Sequence, residues 1–165
     1  MNLLDAAGSE MPRRVLGDVL SGQRAAIIER AAAVLGGSRA RHYEAAGPQL
    51  RRARLEVLYD QIVEAVDSRD IGDVLTFARA LAQERFTAGY DLSEIQIAVN
   101  ALEEAVWREI FSELQPDRLE EALSRVSTVF GMVKDALARE YVSLATHTHA
   151  PSLDLPKLFA GSGLM

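Results

Sequence analysis

The sequence has no cysteine, only three histidines and no long apolar run, and each shortage excludes a class of site or structure. Without cysteine there can be no disulfide, no thiolate metal ligand and no cysteine nucleophile. No apolar segment approaches the roughly 18 residues that a membrane-spanning helix needs. The N-terminal residues also lack the basic and apolar regions of a signal peptide. We therefore expect a cytoplasmic protein without a membrane partner.

The residues that carry chemistry form no catalytic, metal or cofactor motif. His42, His147 and His149 lack the companion ligands of a zinc site, and the Glu-x-x-His pattern of di-iron bundles is absent. Neither a nucleophile elbow nor a glycine-rich phosphate loop occurs. We expect a protein that is not an enzyme, with no catalytic residues, no metal site and no cofactor.

Charge argues against nucleic acid as a partner. The chain carries 24 acidic and 18 basic residues, a net charge of -6, whereas binding to a phosphate backbone needs a basic surface. The one short basic run, Arg51 to Arg54, is interpreted as an exposed helix face, with a partner contact as the alternative.

Apolar residues recur at helical spacing along most of the chain, and glycine and proline separate the segments. The pattern predicts an all-α fold, a single-domain bundle of about six helices that ends with a long C-terminal helix. We expect a flexible arm over residues 1–11, a helical domain over residues 12–146 and a flexible tail over residues 147–165.

The stretch "ERFTAGYDLSEIQIAVNAL" predicts a tight corner between two helices. Gly89 suits the left-handed position just past a helix end. Asp91 and Glu94 have the spacing of a capping box, and Tyr90 and Ile95 have that of a hydrophobic staple. The corner therefore predicts an antiparallel helix pair joined by a short loop.

The last helix carries an apolar stripe with steps of three and four residues, close to a heptad seam. Such a seam packs either within one chain or across a homodimer, and the sequence leaves both open. The candidate dimer seam consists of Leu123, Val126, Phe130, Val133, Leu137 and Tyr141.

Three aromatic residues suggest a small-molecule site as an alternative. Trp107 and Phe111 lie one helical turn apart, and we expect them to pack in the core. With Phe86 they could instead line a pocket for an apolar ligand.

Three segments resemble a known regulatory family: "AAIIERAAAVL", "LRRARLEVLYDQIVEAVDSRD" and "FARALAQERFTAGYDLSEIQIAVNALEEAVWREI". They are similar to the N-terminal domain of the RsbR/RsbRD family, the co-antagonists of RsbT in the bacterial stressosome. The resemblance implies a globin-like helical fold without haem and a dimeric sensory or scaffolding role. It also implies a separate output domain. Since only residues 147–165 follow the last predicted helix, we expect regulation of a signalling partner through protein contacts.

The C-terminal tail suggests an adaptor role as a further alternative. Its composition is turn-like, yet it keeps apolar residues that could dock on a partner, pack on the bundle or stay disordered: Leu155, Leu158, Phe159 and Leu164. The final "LFAGSGLM" is similar to the targeting peptides of encapsulin cargo, although a second glycine interrupts the pattern.

Overall fold

The structure is a computed structural model that describes residues 15–149, with side chains described as far as residue 147. Within that range the chain is all-α and contains seven helices and no strand, so the predicted single-domain bundle is confirmed. The short α3 accounts for the difference from the expected number of about six. The helices are α1 (Leu16–Gly22), α2 (Arg24–Gly36), α3 (Arg41–Ala45), α4 (Gly47–Ser68), α5 (Gly72–Thr87), α6 (Leu92–Glu113) and α7 (Pro116–His149).

Helix α6 forms the centre of the bundle. It packs against α2 and α7 along most of its length, and α1, α3 and α4 also contact it. Its apolar residues repeat every three or four positions and so lie on one side of the helix. Five residues of this apolar stripe are buried: Ile95, Val99, Leu102, Val106 and Ile110.

Helix α7 packs within the chain, mainly against α5 and α6. Of the six seam residues, Leu123 is half-buried and the other five are buried in the core. The seam therefore contacts the chain's own helices, and these side chains present little surface to a second subunit.

The connections between helices follow their sequence signals. Gly89 has a φ of 83° and Gly47 a φ of 82°, both in the left-handed region that glycine tolerates best. Arg69, between α4 and α5, adopts the same region with a φ of 59°. Pro48 lies in the first turn of α4, where its missing N–H costs no hydrogen bond.

A substitution of Phe130 tests whether the seam residues pack in the core of a single chain. The side chain is 0% exposed, so Phe130→Ala should lower the free energy of unfolding by about 3–5 kcal/mol through lost burial and a cavity. Val142→Ala on the same helix is the control, because Val142 is 64% exposed and should change the stability by about 0.5 kcal/mol or less. Urea denaturation measures both. Unchanged stability of Phe130→Ala with loss of a dimer would show that the seam faces another subunit.

Candidate functional site

The corner between α5 and α6 gathers a cluster of polar and aromatic side chains from several helices. The predicted capping box is formed at the start of α6, where the backbone N–H of Asp91 donates to Glu94 Oε2 at 3.0 Å. Tyr90 and Ile95, the predicted staple residues, are both buried. The local signals in the sequence thus specify this corner correctly.

Glu94 has a second role that the sequence did not reveal. The backbone N–H of His42 donates to its Oε1 at 2.9 Å, and His42 Nδ1 lies 2.7 Å from its Oε2. Because a carboxylate only accepts, Nδ1 carries the proton of this hydrogen bond. The carboxylate therefore binds the start of α3 to the start of α6.

Glu94 is only 5% exposed. Burial disfavours its charged form, but the backbone N–H groups of His42 and Asp91 and the His42 ring outweigh it and lower the pKa of Glu94. The carboxylate is therefore held ionised inside the fold by hydrogen bonds.

The ring of Tyr90 is surrounded by aromatic and cationic groups. His42 stacks on it at 4.5 Å between ring centroids, and Tyr43 meets it edge-on at 5.3 Å. The guanidinium carbons of Arg54 and Arg85 lie 5.6 Å and 5.3 Å from its centroid. Cations at this distance are attracted by the negative face of the ring.

Two further contacts connect this cluster to the long helix. The hydroxyl of Tyr141 on α7 donates to the backbone carbonyl of Tyr90 at 3.0 Å, and the Phe86 ring meets the Tyr141 ring edge-on at 5.6 Å. Burial raises the pKa of Tyr141 to about 12, so its hydroxyl keeps its proton at neutral pH. Tyr141, predicted as a seam residue, thus joins α7 to the corner.

The three aromatic residues of the predicted ligand pocket are not brought together around a described cavity. Phe86 is half-buried against Tyr141. Trp107 and Phe111 are 39% and 56% exposed on α6, so the expectation that they pack in the core is wrong. Their side of α6 faces away from the helices that cover the apolar stripe.

Trp107 and Phe111 instead form part of an exposed face of α6, which we call the α6 face and define by Glu104, Trp107, Arg108 and Phe111. Glu104 is three residues before Trp107 and four before Arg108, and Phe111 follows these two by four and three residues, so each of these pairs is adjacent on the helix surface. Arg108 Nη2 lies 2.9 Å from Glu104 Oε1, so an ion pair adjoins the aromatic rings.

The structure describes only some of the remaining residues that the sequence analysis named. His147 is exposed near the end of α7. The docking residues Leu155, Leu158, Phe159 and Leu164 lie outside the described residues, as does the arm over residues 1–11. Within residues 15–149, no group of three potential metal ligands occurs, and no helix has the length and hydropathy needed to cross a membrane.

Sequence reasoning missed Arg54 and Arg85 as members of this cluster. Arg85 is only 4% exposed, and Arg54 is half-buried although it belongs to the basic run expected at the surface. A signal for Arg85 existed, because it continues the buried positions Ala78 and Ala82 of α5 at helical spacing. A charged residue on an apolar stripe indicates a paired or functional charge.

Comparison with known proteins gives one match. The family model described as "RsbT co-antagonist protein rsbRD N-terminal domain" matches residues 24–150. This match runs from α2 to the end of α7 and includes the whole corner cluster. No curated protein and no solved structure matches the chain significantly.

The lowered pKa of Glu94 predicts a specific dependence of stability on pH. Ionised Glu94 stabilises the fold above its unfolded pKa, and this contribution is lost as the pH falls through the lower folded pKa. Glu94→Gln should therefore cost about 1–3 kcal/mol at neutral pH, and the difference from the unsubstituted protein should shrink below about pH 4.5.

Glu104→Gln is the matched control for this experiment. Glu104 makes an exposed ion pair on the same helix, so its removal should cost about 0.5 kcal/mol or less. Urea denaturation at a series of pH values measures all three proteins. A cost for Glu94→Gln that stays constant into the acid range would contradict the role assigned to its charge.

Proposed function

The chain belongs to the family of RsbT co-antagonist protein rsbRD N-terminal domains, and from this premise we propose that it is a non-catalytic module that regulates a signalling protein by direct contact, as a homodimer. The family is one of stress-signalling regulatory domains. The expectations of no catalysis and of a cytoplasmic location rest on this membership and on the sequence, and they stay predictions.

The observation that carries the proposed contact is the exposed aromatic pair on the α6 face. Trp107 and Phe111 are large apolar side chains that the described chain leaves 39% and 56% exposed. Aromatic residues are enriched at protein interfaces, where their burial contributes much of the binding energy. A pair of them in adjacent turns of a rigid helix is suited to protein contact.

A second copy of the chain is the occupant that we propose for this face. Glu104 and Arg108 balance each other beside the rings, and Arg30 on α2 pairs with Glu109 of α6 at 2.8 Å. In a two-fold interface the same patch meets itself, so a patch of one sign would repel its copy. The neutral α6 face avoids this repulsion in a chain whose net charge is -6.

A homodimer through the α6 face leaves the rest of the bundle free for a signalling partner. The family description names RsbT, and we propose a signalling protein of that kind as the second partner. The apolar pocket near Phe86, Trp107 and Phe111, and docking through the C-terminal tail, stay predictions from the sequence.

Phe111→Asp tests the proposed dimer. It places a like charge from each copy at the centre of the contact and replaces a side chain that is 56% exposed, so the fold should persist. Native mass spectrometry should give twice 18.1 kDa for the unsubstituted protein and 18.1 kDa for the variant. Since Trp107 is the single tryptophan, dilution of the unsubstituted protein should also shift its emission to longer wavelength as the indole becomes hydrated.

Val142→Asp is the matched control, because it makes the same change of charge at another exposed apolar residue, 64% exposed on α7. It should leave the dimer intact. A protein that stays at 18.1 kDa over the whole concentration range would exclude the homodimer. A dimer that tolerates Phe111→Asp would exclude the α6 face as its interface.

A further inference from the structure

A groove opens beside the corner cluster, between α4 and α5. Its volume is about 380 Å³, which falls in the range of small-molecule sites. It lies away from the predicted aromatic pocket, and none of Phe86, Trp107 and Phe111 lines it. Because a short loop joins α4 to α5, the two helices run antiparallel and form its two long walls.

One end of the groove is cationic. Arg54 and Arg85 both line it, and their guanidinium carbons lie 5.6 Å and 5.3 Å from the centroid of the Tyr90 ring. Tyr43 completes this end, and the guanidinium carbon of Arg54 lies 6.0 Å from the centroid of its ring. The cationic end is therefore held in place by buried aromatic rings.

The positive charge of this end is only partly balanced. Glu84 is the one acidic residue that lines the groove, and it pairs with Arg85 from the mouth, where its own side chain is 67% exposed. The buried Nε of Arg85 has no hydrogen-bond partner among the described residues. Arg54 makes no ion pair in the described part of the chain, and its hydrogen bond goes to the neutral hydroxyl of Tyr90.

The other end of the groove is apolar. Phe77 and Leu81 line it from α5, and Leu58 and Val57 line it from α4. Val57 is 53% exposed, so apolar surface remains open to solvent here. Covering this surface would be favourable by the hydrophobic effect.

We propose that the groove binds a small amphipathic carboxylate, with its head against Arg54 and its apolar body along Phe77 and Leu81. A guanidinium without a carboxylate partner matches the planar fork of a carboxylate and can donate two hydrogen bonds to it. The negative charge of the ligand would bring the net charge of the site, which has two arginines and one glutamate, to zero. Through this site a small molecule would act on the proposed regulatory module. The site shares no residue with the α6 face.

Octanoate is the probe for this site, with octylammonium and octanol as ligands of the same chain length. Isothermal titration calorimetry on the full chain should show binding of octanoate. Octanol should bind about tenfold more weakly or worse, because it lacks the charge-assisted hydrogen bonds. Octylammonium should not bind, because it would place a cation beside two arginines. Equal affinity for the three probes, or no binding of octanoate, would overturn the proposal.

Arg54→Gln tests the head-group contact and should weaken octanoate binding at least about tenfold. Arg52→Gln is the matched control, since Arg52 lies on the same helix, does not line the groove and pairs with Glu56 at 3.2 Å. Circular dichroism checks that both variants are folded. Unchanged affinity of Arg54→Gln for octanoate would show that Arg54 does not bind the carboxylate. If this variant does not fold, the comparison of the three probes on the unsubstituted protein still tests the proposal.

The same titration with Phe111→Asp separates this proposal from the proposed dimer. The variant should bind octanoate like the unsubstituted protein, because Phe111 does not line the groove. Loss of octanoate binding in this variant would contradict the groove as the site and place the ligand at the α6 face.

Discussion

The fold depends on one buried carboxylate, that of Glu94. It accepts hydrogen bonds from the backbone N–H groups of His42 and Asp91 and from the His42 ring. A buried charge without such donors would be strongly unfavourable, so the three donors and the carboxylate have to be assembled together. The position of α3, a helix of five residues and too short to be stable alone, follows from this requirement.

Tyr90 extends the effect of that carboxylate to the rest of the bundle. Its ring takes part in the contacts with His42, Tyr43, Arg54 and Arg85, and its carbonyl accepts the hydrogen bond from Tyr141. Four helices, α3, α4, α5 and α7, therefore meet around a single residue of the four-residue connection between α5 and α6. The cationic end of the groove and the anchor of α7 therefore share one residue, Tyr90, through its ring and its carbonyl.

The parts of this structure that the sequence predicted are those set by local rules. Gly89, Asp91 and Glu94 define the corner through backbone conformation and capping, which operate within a few residues. The pairing of Glu94 with His42 joins positions 52 residues apart, and no local pattern specifies it. No local pattern specifies the place of Arg54 either, because its side chain lines a groove that exists only once α4 packs against α5. The prediction that Trp107 and Phe111 pack in the core was wrong because the spacing of apolar residues does not show how much of a helix surface the neighbouring helices cover.

The length of α7 has a mechanical consequence. Tyr141 is the last buried residue described on this helix. Beyond it Val142, Ser143, Thr146 and His147 are exposed and Leu144 and Ala145 are half-buried, and the helix continues to His149. At about 1.5 Å per residue, the part from Phe130 to His149 is about 28 Å long. A straight helix of that length acts as a lever: a tilt of about 10° at Phe130 displaces its end by about 5 Å. Because Tyr141 lies between Phe130 and the end of α7 and is tied to the Tyr90 carbonyl, a change at the Tyr90 cluster that shifted Tyr141 would move the end of the helix further than Tyr141 itself.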